Sequence, residues 1–105
     1  SILPQQGLNM CALLDFEQAD AELNRAWQTV FPKLKARDKD INEQWQGLPD
    51  AVLKAQRSWI AYRDTHCSAE GFRYRGGSIE PLIYHACRAT LTRARTQQIN
   101  EYLEN

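Results

Sequence analysis

The sequence lacks the features that mark membrane-spanning, nucleic-acid-binding and β-sheet proteins. No apolar run approaches the roughly 20 residues that a transmembrane helix needs. The 13 Lys and Arg residues are balanced by 13 Asp and Glu residues, so there is no basic excess for binding nucleic acid. Alternating β-branched runs, which are typical of strands, are absent. Glycine and proline are scarce, and there is no repeat or linker. The 105 residues predict one globular domain.

Sequence signatures of catalysis and metal binding are missing as well. There is no H-E-x-x-H, no phosphate-binding glycine loop and no C-x-x-C. The residues that most resemble a set of zinc ligands are His66, Cys67, His85 and Cys87. His85 and Cys87 diverge by about 200° around a helix, so they are poorly placed to share one ion. We expect no enzyme activity, no catalytic residue, no metal and no cofactor.

Three long segments carry apolar residues at the three-to-four spacing of amphipathic helices. The first covers about 9–31, and Pro32 predicts a kink or a stop at its end. The second begins after Gly47, and the third covers about 78–103. These lengths predict an all-α fold, an antiparallel up-down-up bundle with a short extra helical turn near residues 38–48.

Each helical segment has an apolar stripe that we expect to face the core. Two details of the ends are also predicted: Trp45 covers one end of the core, and Ser78 is the N-cap of the third helix. The stripes comprise Phe16, Leu23, Trp27, Val30 and Leu34; then Val52, Ala55, Trp59 and Tyr62, widened by Leu53, Ile60 and Cys67; and finally Ile83, Cys87, Leu91, Ala94, Ile99 and Tyr102.

Charge is segregated along the chain even though the net charge is zero. Residues 1–50 carry eight acids and five bases, whereas residues 51–105 carry five acids and eight bases. Four of the acids lie in the short stretch 15–22. This stretch is the part of the chain best suited to attract a basic partner.

The expected bundle predicts which residues lie at the same height along its axis, because antiparallel neighbouring helices bring residues equidistant from a turn to the same level. With the second turn centred on Gly77, Cys67 and Cys87 face each other. With the first turn centred near Lys39, Cys11 falls at the same end of the bundle. This geometry permits either a Cys67–Cys87 or a Cys11–Cys67 disulfide.

The same rule of equal distance from the turns places Arg95 level with Asp20, beside Trp59. It predicts a shielded ion pair between Asp20 and Arg95, since buried charges persist when they are paired. A structural role is the main interpretation of this site and a functional role is the alternative. The full cluster that we expect comprises Asp20, Asn24, Trp59, Arg63 and Arg95.

Three sequence elements resemble the LprI-type lysozyme-inhibitor N-terminal domain family, long described as a domain of unknown function. The resemblance covers roughly residues 5–103. It implies a small, mostly helical protein that is exported to the periplasm or cell surface, where disulfides are chemically reasonable. The elements are A-D-A-E-L-N at 19–24; L-K-A-Q-R-S-W-I-A-Y-R-D at 53–64, followed by Cys67; and Gly76-Gly77-Ser78-Ile79 with Cys87 and L-T-x-x-R at 91–95.

The resemblance also bears on the cysteines. Family members commonly carry a further cysteine upstream of the one matched by Cys11, and here that position lies at or beyond Ser1. The resemblance therefore implies that Cys11 is unpaired in this chain, and it favours the Cys67–Cys87 disulfide.

The segment 71–78 combines aromatic side chains, two arginines and glycines between the second and third helices. Arg and Tyr are enriched at interface hot spots, because they offer contact area together with directed hydrogen bonds. The alternative is an ordinary helix connection in which Phe72 and Tyr74 cap the core. The binding residues that we expect are Arg73, Tyr74, Arg75, Gly76 and Gly77.

Two functions from different classes follow. The resemblance implies a small exported binding protein that inhibits a lysozyme by protein–protein contact. Because lysozyme works with two carboxyl groups in its cleft, we expect the projecting loop of Arg73, Tyr74 and Arg75 to enter the cleft and pair with them. The alternative is an envelope structural or interaction module with an unknown partner and no inhibitory activity. A weaker third interpretation is a redox or metal protein that uses the thiol of Cys11.

Overall fold

The computed structural model describes residues 4–104 as three long α-helices. They are α1, Gln5–Lys39; α2, Leu48–Phe72; and α3, Glu80–Glu101; a short 3₁₀ turn, Glu43–Trp45, lies between α1 and α2. No strand occurs within the described residues. The predicted three-helix bundle and its extra turn near residues 38–48 are therefore confirmed.

The helices pack unequally around an elongated core. The molecule measures 59 × 26 × 17 Å, and α3 packs against both other helices, whereas α1 and α2 touch each other little. None of the helices within residues 4–104 is apolar over a length that would cross a membrane. The buried apolar residues form two groups, Leu23, Val30, Leu34, Val52 and Ile99 in one, and Phe16, Ala19 and Ala89 in the other.

Pro32 does not end the first helix, so the expected stop near residue 31 is wrong. Helix α1 continues to Lys39. Val30 and Leu34, on either side of the proline, are both buried, while Pro32 itself is exposed. The carbonyl that the proline leaves unpaired is that of Gln28, another exposed residue that water can reach. Burial of the stripe therefore outweighs the proline penalty.

The buried face of α2 differs from the predicted stripe. Ala55 and Tyr62 are exposed, whereas Gln56 and Arg63 are only 7% and 6% exposed. The buried face still has helical spacing, because Val52, Gln56, Arg63, Cys67 and Gly71 line it. The polar groups of Gln56 and Arg63 can be buried on this face because they are hydrogen-bonded to partners inside the bundle.

Trp45 does not cover the end of the core, as was predicted, but is 71% exposed. Tyr102 and Leu103 pack against that end instead. The connection between α1 and α2 is tied back to the end of α1, because the Gly47 N–H donates to the Asp38 carboxylate at 3.1 Å. Gly47 has a φ of +127°, which glycine adopts readily. The 3₁₀ turn is thereby held outside the bundle.

Ser78 is not the N-cap of α3. Ile79 precedes the helix and no side chain caps it. The Gly76 N–H donates to the Glu80 carboxylate at 3.2 Å, and the Ser78 carbonyl accepts a hydrogen bond from the Asn9 side chain at 2.9 Å. The turn before α3 is thus tied both to α3 and to the start of α1.

Candidate functional site

The acidic stretch of α1 lies against basic residues of the second half of the chain. Asp15 accepts hydrogen bonds from Arg93 of α3, the shorter at 2.7 Å. This hydrogen bonding lowers the pKa of Asp15 and raises that of Arg93. Asp20 lies 3.6 Å from Arg63 of α2. The stretch 15–22 is therefore partly neutralised within the molecule, which weakens its ability to attract a basic partner.

Arg63 is the centre of the buried polar cluster. Its Nη1 lies 3.6 Å from Asp20 and 3.4 Å from the Thr92 hydroxyl. Its guanidinium carbon lies 5.0 Å and 5.1 Å from the ring centroids of Phe16 and Trp59. Aromatic rings and carboxylates together hold this cation in one orientation.

Asp64 links the cluster to α3. Its Oδ1 accepts hydrogen bonds from Arg63 at 2.9 Å and from Arg88 at 3.2 Å. Partial burial opposes ionisation of Asp64, but the hydrogen bonds and charges of the two arginines outweigh it and lower the pKa. The Arg88 guanidinium in turn lies 3.7 Å from the Phe16 ring centroid.

Arg95 does not pair with Asp20, so that predicted ion pair is wrong. Its Nε donates to the Gln56 side-chain carbonyl at 2.8 Å, and its Nη1 donates to Gln98 at 3.1 Å. Its Nη2 is buried without a hydrogen-bond partner among the described residues. The structure brings Asp20, Trp59 and Arg63 together, while Arg95 belongs to a neighbouring layer built on Gln56.

Sequence reasoning missed several members of these layers. Asn24, which it included, is exposed, and its side chain makes no hydrogen bond within residues 4–104. A signal for the buried polar face of α2 was present in the sequence, because helical spacing puts four residues on one face. They are Gln56, Trp59, Arg63 and Cys67. The members that were missed are Gln56, Asp64, Arg88 and Thr92.

A groove separates α1 from α2 where the two helices barely touch. We call it the α1–α2 groove; its volume is about 400 Å³. Buried polar residues of α2 and exposed residues of both helices line it. They are Asp20, Leu23, Asn24 and Trp27 of α1, and Leu53, Gln56, Arg57, Ile60 and Arg63 of α2.

The Cys67–Cys87 disulfide joins α2 to α3, with the two Cα atoms 5.5 Å apart. This is the pair that the family resemblance favours. Cys11 is free and exposed. The disulfide closes a chain segment that contains the turn between α2 and α3, so that turn is anchored at its base.

That turn, which we call the tip (residues 72–77), is exposed and ordered by its own hydrogen bonds. Phe72 is 57% and Tyr74 44% exposed, so neither side chain caps the core. The Arg75 guanidinium lies over the Phe72 ring at 4.5 Å. The Gly77 N–H donates to the Tyr74 carbonyl at 2.8 Å, and Gly76 has a φ of +81°. The tip therefore presents aromatic and cationic side chains to solvent.

Arg73 is the most accessible charged group of the tip. Its side chain is 74% exposed, and its Nη1 lies 3.9 Å from Glu70, a long separation for an ion pair. An exposed pair of this kind is easily broken by a competing carboxylate. The tip can thus offer a guanidinium to a partner at small cost.

The histidines near the disulfide do not build a metal site. His66 lies 3.8 Å from Glu70, and burial together with Arg88 lowers the pKa of His85. Across residues 4–104, no group of three or more His, Cys, Asp or Glu side chains is placed to hold a metal ion.

Comparisons with known proteins show which family shares this architecture. The sequence pattern described as "Lysozyme inhibitor LprI" matches residues 3–99. An uncharacterized protein of Rhizobium meliloti (strain 1021) is 45% identical over 104 residues, which cover 96% of this chain and 75% of that protein. Comparison with solved structures found no significant match. Because the family pattern spans all three helices, this chain belongs to the LprI lysozyme-inhibitor family.

Proposed function

We propose that this protein is a small exported binding protein that inhibits a lysozyme by direct contact through its tip. The family to which the chain belongs supports the target class. The observation that carries the choice of surface is the exposure of Phe72, Arg73 and Tyr74 on a turn anchored by a disulfide. The proposal treats the chain as an inhibitor and assigns it no reaction of its own.

The tip has the chemistry to occupy a cleft that contains two carboxyl groups. A guanidinium can donate two parallel hydrogen bonds to one carboxylate, and the tip carries Arg73 and Arg75. Tyr74 adds apolar area and a hydroxyl. The disulfide and the glycine turn fix the backbone before binding, so less conformational entropy is lost in the complex.

Long-range attraction contributes little to this mechanism. Lysozymes are often strongly basic, yet the net charge of this chain is zero and its acidic stretch 15–22 is partly paired with Arg63 and Arg93. Binding would then depend on short-range contacts at the tip, and its rate would respond only weakly to ionic strength.

The test compares the parent protein with the triple variant Arg73→Ala, Tyr74→Ala, Arg75→Ala. We expect inhibition of cell-wall lysis to weaken by at least ~2 kcal/mol, or roughly 30-fold, because hot-spot groups are removed. Circular dichroism should show unchanged helix content, since the tip is a surface turn. Lysozymes of the chicken, goose and invertebrate types are each assayed.

The matched control removes two cations and one aromatic ring from the opposite end of the bundle. It is Lys33→Ala, Lys39→Ala, Trp45→Ala, all three residues being exposed. This control should inhibit like the parent. If both triple variants inhibit equally well, the tip is not the binding surface. If the parent inhibits none of the three lysozymes, the envelope interaction module becomes the better interpretation.

An extracytoplasmic location is part of the proposal. The Cys67–Cys87 disulfide supports it, because structural disulfides persist in oxidising compartments and are rare in the cytosol. Thiol labelling of the protein taken from its native cells should modify Cys11 alone. Labelling of all three cysteines would place the protein in a reducing compartment.

A further inference from the structure

The α1–α2 groove is a second candidate binding site, distinct from the tip. Its volume of about 400 Å³ lies within the range of small-molecule pockets. Trp27, Leu53 and Ile60 contribute apolar surface to its lining, and the buried side chains of Gln56 and Arg63 contribute polar groups. Pockets that bind small ligands combine these features: an apolar lining and a few converging polar groups.

Gln56, which lines the groove, carries side-chain N–H donors that have no partner among the described residues. A guanidinium can only donate, so the hydrogen bond from Arg95 requires the side-chain oxygen of Gln56 to face Arg95. The Gln56 NH₂ group is therefore directed away from Arg95, and it has no hydrogen-bond partner within residues 4–104. Gln56 is 7% exposed, so this orientation is held by packing on all sides.

Arg63 adds a second donor to the groove. Its Nε and Nη1 are engaged by Asp64, Thr92 and Asp20, but its Nη2 has no partner in the described part of the chain. Arg63 is 6% exposed and stacked between two rings, so Nη2 is fixed in position. Among residues 4–104, the side-chain nitrogen that is both fully buried and without a hydrogen-bond partner is Arg95 Nη2. Arg63 Nη2 and the Gln56 amide nitrogen also have no partner there but are not fully buried, so solvent can reach both.

The charges of the groove favour an anion. Arg57, exposed at the rim, makes no ion pair with any residue in 4–104, and Arg63 is a buried lining residue. Asp20 is the single carboxylate among the lining residues. Arg63 is balanced by Asp20 and Asp64, so the uncompensated charge at the groove is that of Arg57. This guanidinium and the free N–H donors are complementary to a ligand that carries acceptors and negative charge.

We propose that the α1–α2 groove binds a small carboxylate with an apolar body. The carboxylate accepts hydrogen bonds from Gln56 Nε2 and Arg63 Nη2, and the flexible Arg57 side chain closes over it from the rim. The apolar body packs on Trp27, Leu53 and Ile60. This site does not depend on the tip or on lysozyme inhibition.

The test is an NMR titration of the whole protein with 4-phenylbutyrate, and with 4-phenylbutanamide as its uncharged analogue. We expect saturable shifts of the Gln56 side-chain amide and the Trp27 indole N–H with the acid. The amide should bind at least tenfold more weakly, because it offers no charge to the guanidinium groups. Absence of saturable shifts with the acid, or equal affinity for acid and amide, would overturn the proposal.

A pair of single substitutions on α2 localises the site. Arg57→Gln should weaken binding of 4-phenylbutyrate about tenfold. Lys54→Gln removes the same charge from an exposed residue that does not line the groove, and it should leave affinity unchanged. Equal loss in both variants would show a general charge effect and would refute a built site in the groove.

Discussion

Arg63 and Arg95 are buried to the same extent but are satisfied in different ways. Arg63 is 6% and Arg95 7% exposed. Arg63 faces the carboxylates of Asp20 and Asp64 and is stacked on two aromatic rings. Arg95 meets no carboxylate within residues 4–104: it contacts the neutral amides of Gln56 and Gln98, its guanidinium carbon lies 5.5 Å from the Tyr102 ring centroid, and one of its terminal nitrogens has no partner among these residues.

The difference shows that the bundle buries a guanidinium for two separate purposes. Around Arg63, opposite charges compensate for the loss of hydration, so the cation joins α1, α2 and α3. Around Arg95, the charge is compensated incompletely, but the side chain orients Gln56 toward it. The first region contributes to stability, whereas the second prepares the lining of the α1–α2 groove.

Removing the disulfide should have the largest effect and should act mainly on the Arg63 region. Cys67 lies one helical turn beyond Arg63, and its partner Cys87 precedes Arg88. The double substitution Cys67→Ser, Cys87→Ser should lower the free energy of unfolding by about 3 kcal/mol, because a loop of 20 residues is no longer closed in the unfolded chain.

Urea denaturation measures this loss, and hydrogen exchange locates it. Amides near Arg63 should lose more protection than amides near Arg95. Equal loss of amide protection in both regions would mean that the disulfide stabilises the bundle as a whole. The regions around Arg63 and Arg95 would then not differ in local stability.

Replacing each arginine by methionine tests the comparison directly. Arg63→Met removes the partner of two carboxylates and should lower the free energy of unfolding by about 2 kcal/mol. Arg95→Met removes a cation that is incompletely compensated and supplies apolar volume, so its cost should be about 1 kcal/mol or less. Urea midpoints of both variants, with the disulfide intact, provide the measurement. A larger loss for Arg95→Met would reverse the ranking of the two sites.

Acid should weaken the Arg63 region selectively, with a smaller effect than either change above. The pKa of Asp64 is lowered below 3.8 in the folded protein, so the stabilisation is present above that value and is lost as the pH falls through the lower, folded pKa. Asp64→Asn should reduce the stability at neutral pH by less than about 1 kcal/mol, because the carboxylate is partly exposed and screened.

The measurement is the urea midpoint followed from neutral pH into the range below 3.8. Asp64→Asn should respond less to acid than the parent, whereas Arg95→Met should retain the full response. The lowered pKa of His85 acts in the same direction, since the stability that depends on neutral His85 is present above 6.5 and is lost as the pH falls below that value. An unchanged acid response in Asp64→Asn would contradict the assigned role of this carboxylate.

The fold could be predicted from the sequence because it depends on a repeated signal. Val30, Leu34, Val52 and Ile99 recur at helical spacing, and these residues form the core. The symmetric positions of the cysteines around the second turn brought Cys67 and Cys87 to one height. The helical signal averages over many residues, so an error of one turn in a boundary does little harm. The cysteine positions left a Cys11–Cys67 pairing open, and the family resemblance favoured the Cys67–Cys87 pair that the structure contains.

The polar cluster was harder to predict because it depends on single side chains. The pairing of Asp20 depended on the centre of the first turn, and the connection beyond Lys39 shifts that centre, so Arg63 faces Asp20 instead of Arg95. Burial of Gln56 and Arg63 contradicts their polarity and becomes visible only once their partners are known. Exposure of Trp45 likewise depends on which residues reach the end of the core.

The unequal packing of α1 has a consequence for the making of the protein. α1 is synthesised first, but its main partner, α3, is synthesised last. The residues from Lys39 to Glu101 take roughly 3–12 s to add at ribosomal rates of about 5–20 per second. During that time the apolar stripe of α1 has only α2 to pack against, which it touches little, and so the stripe stays exposed and can be bound by chaperones.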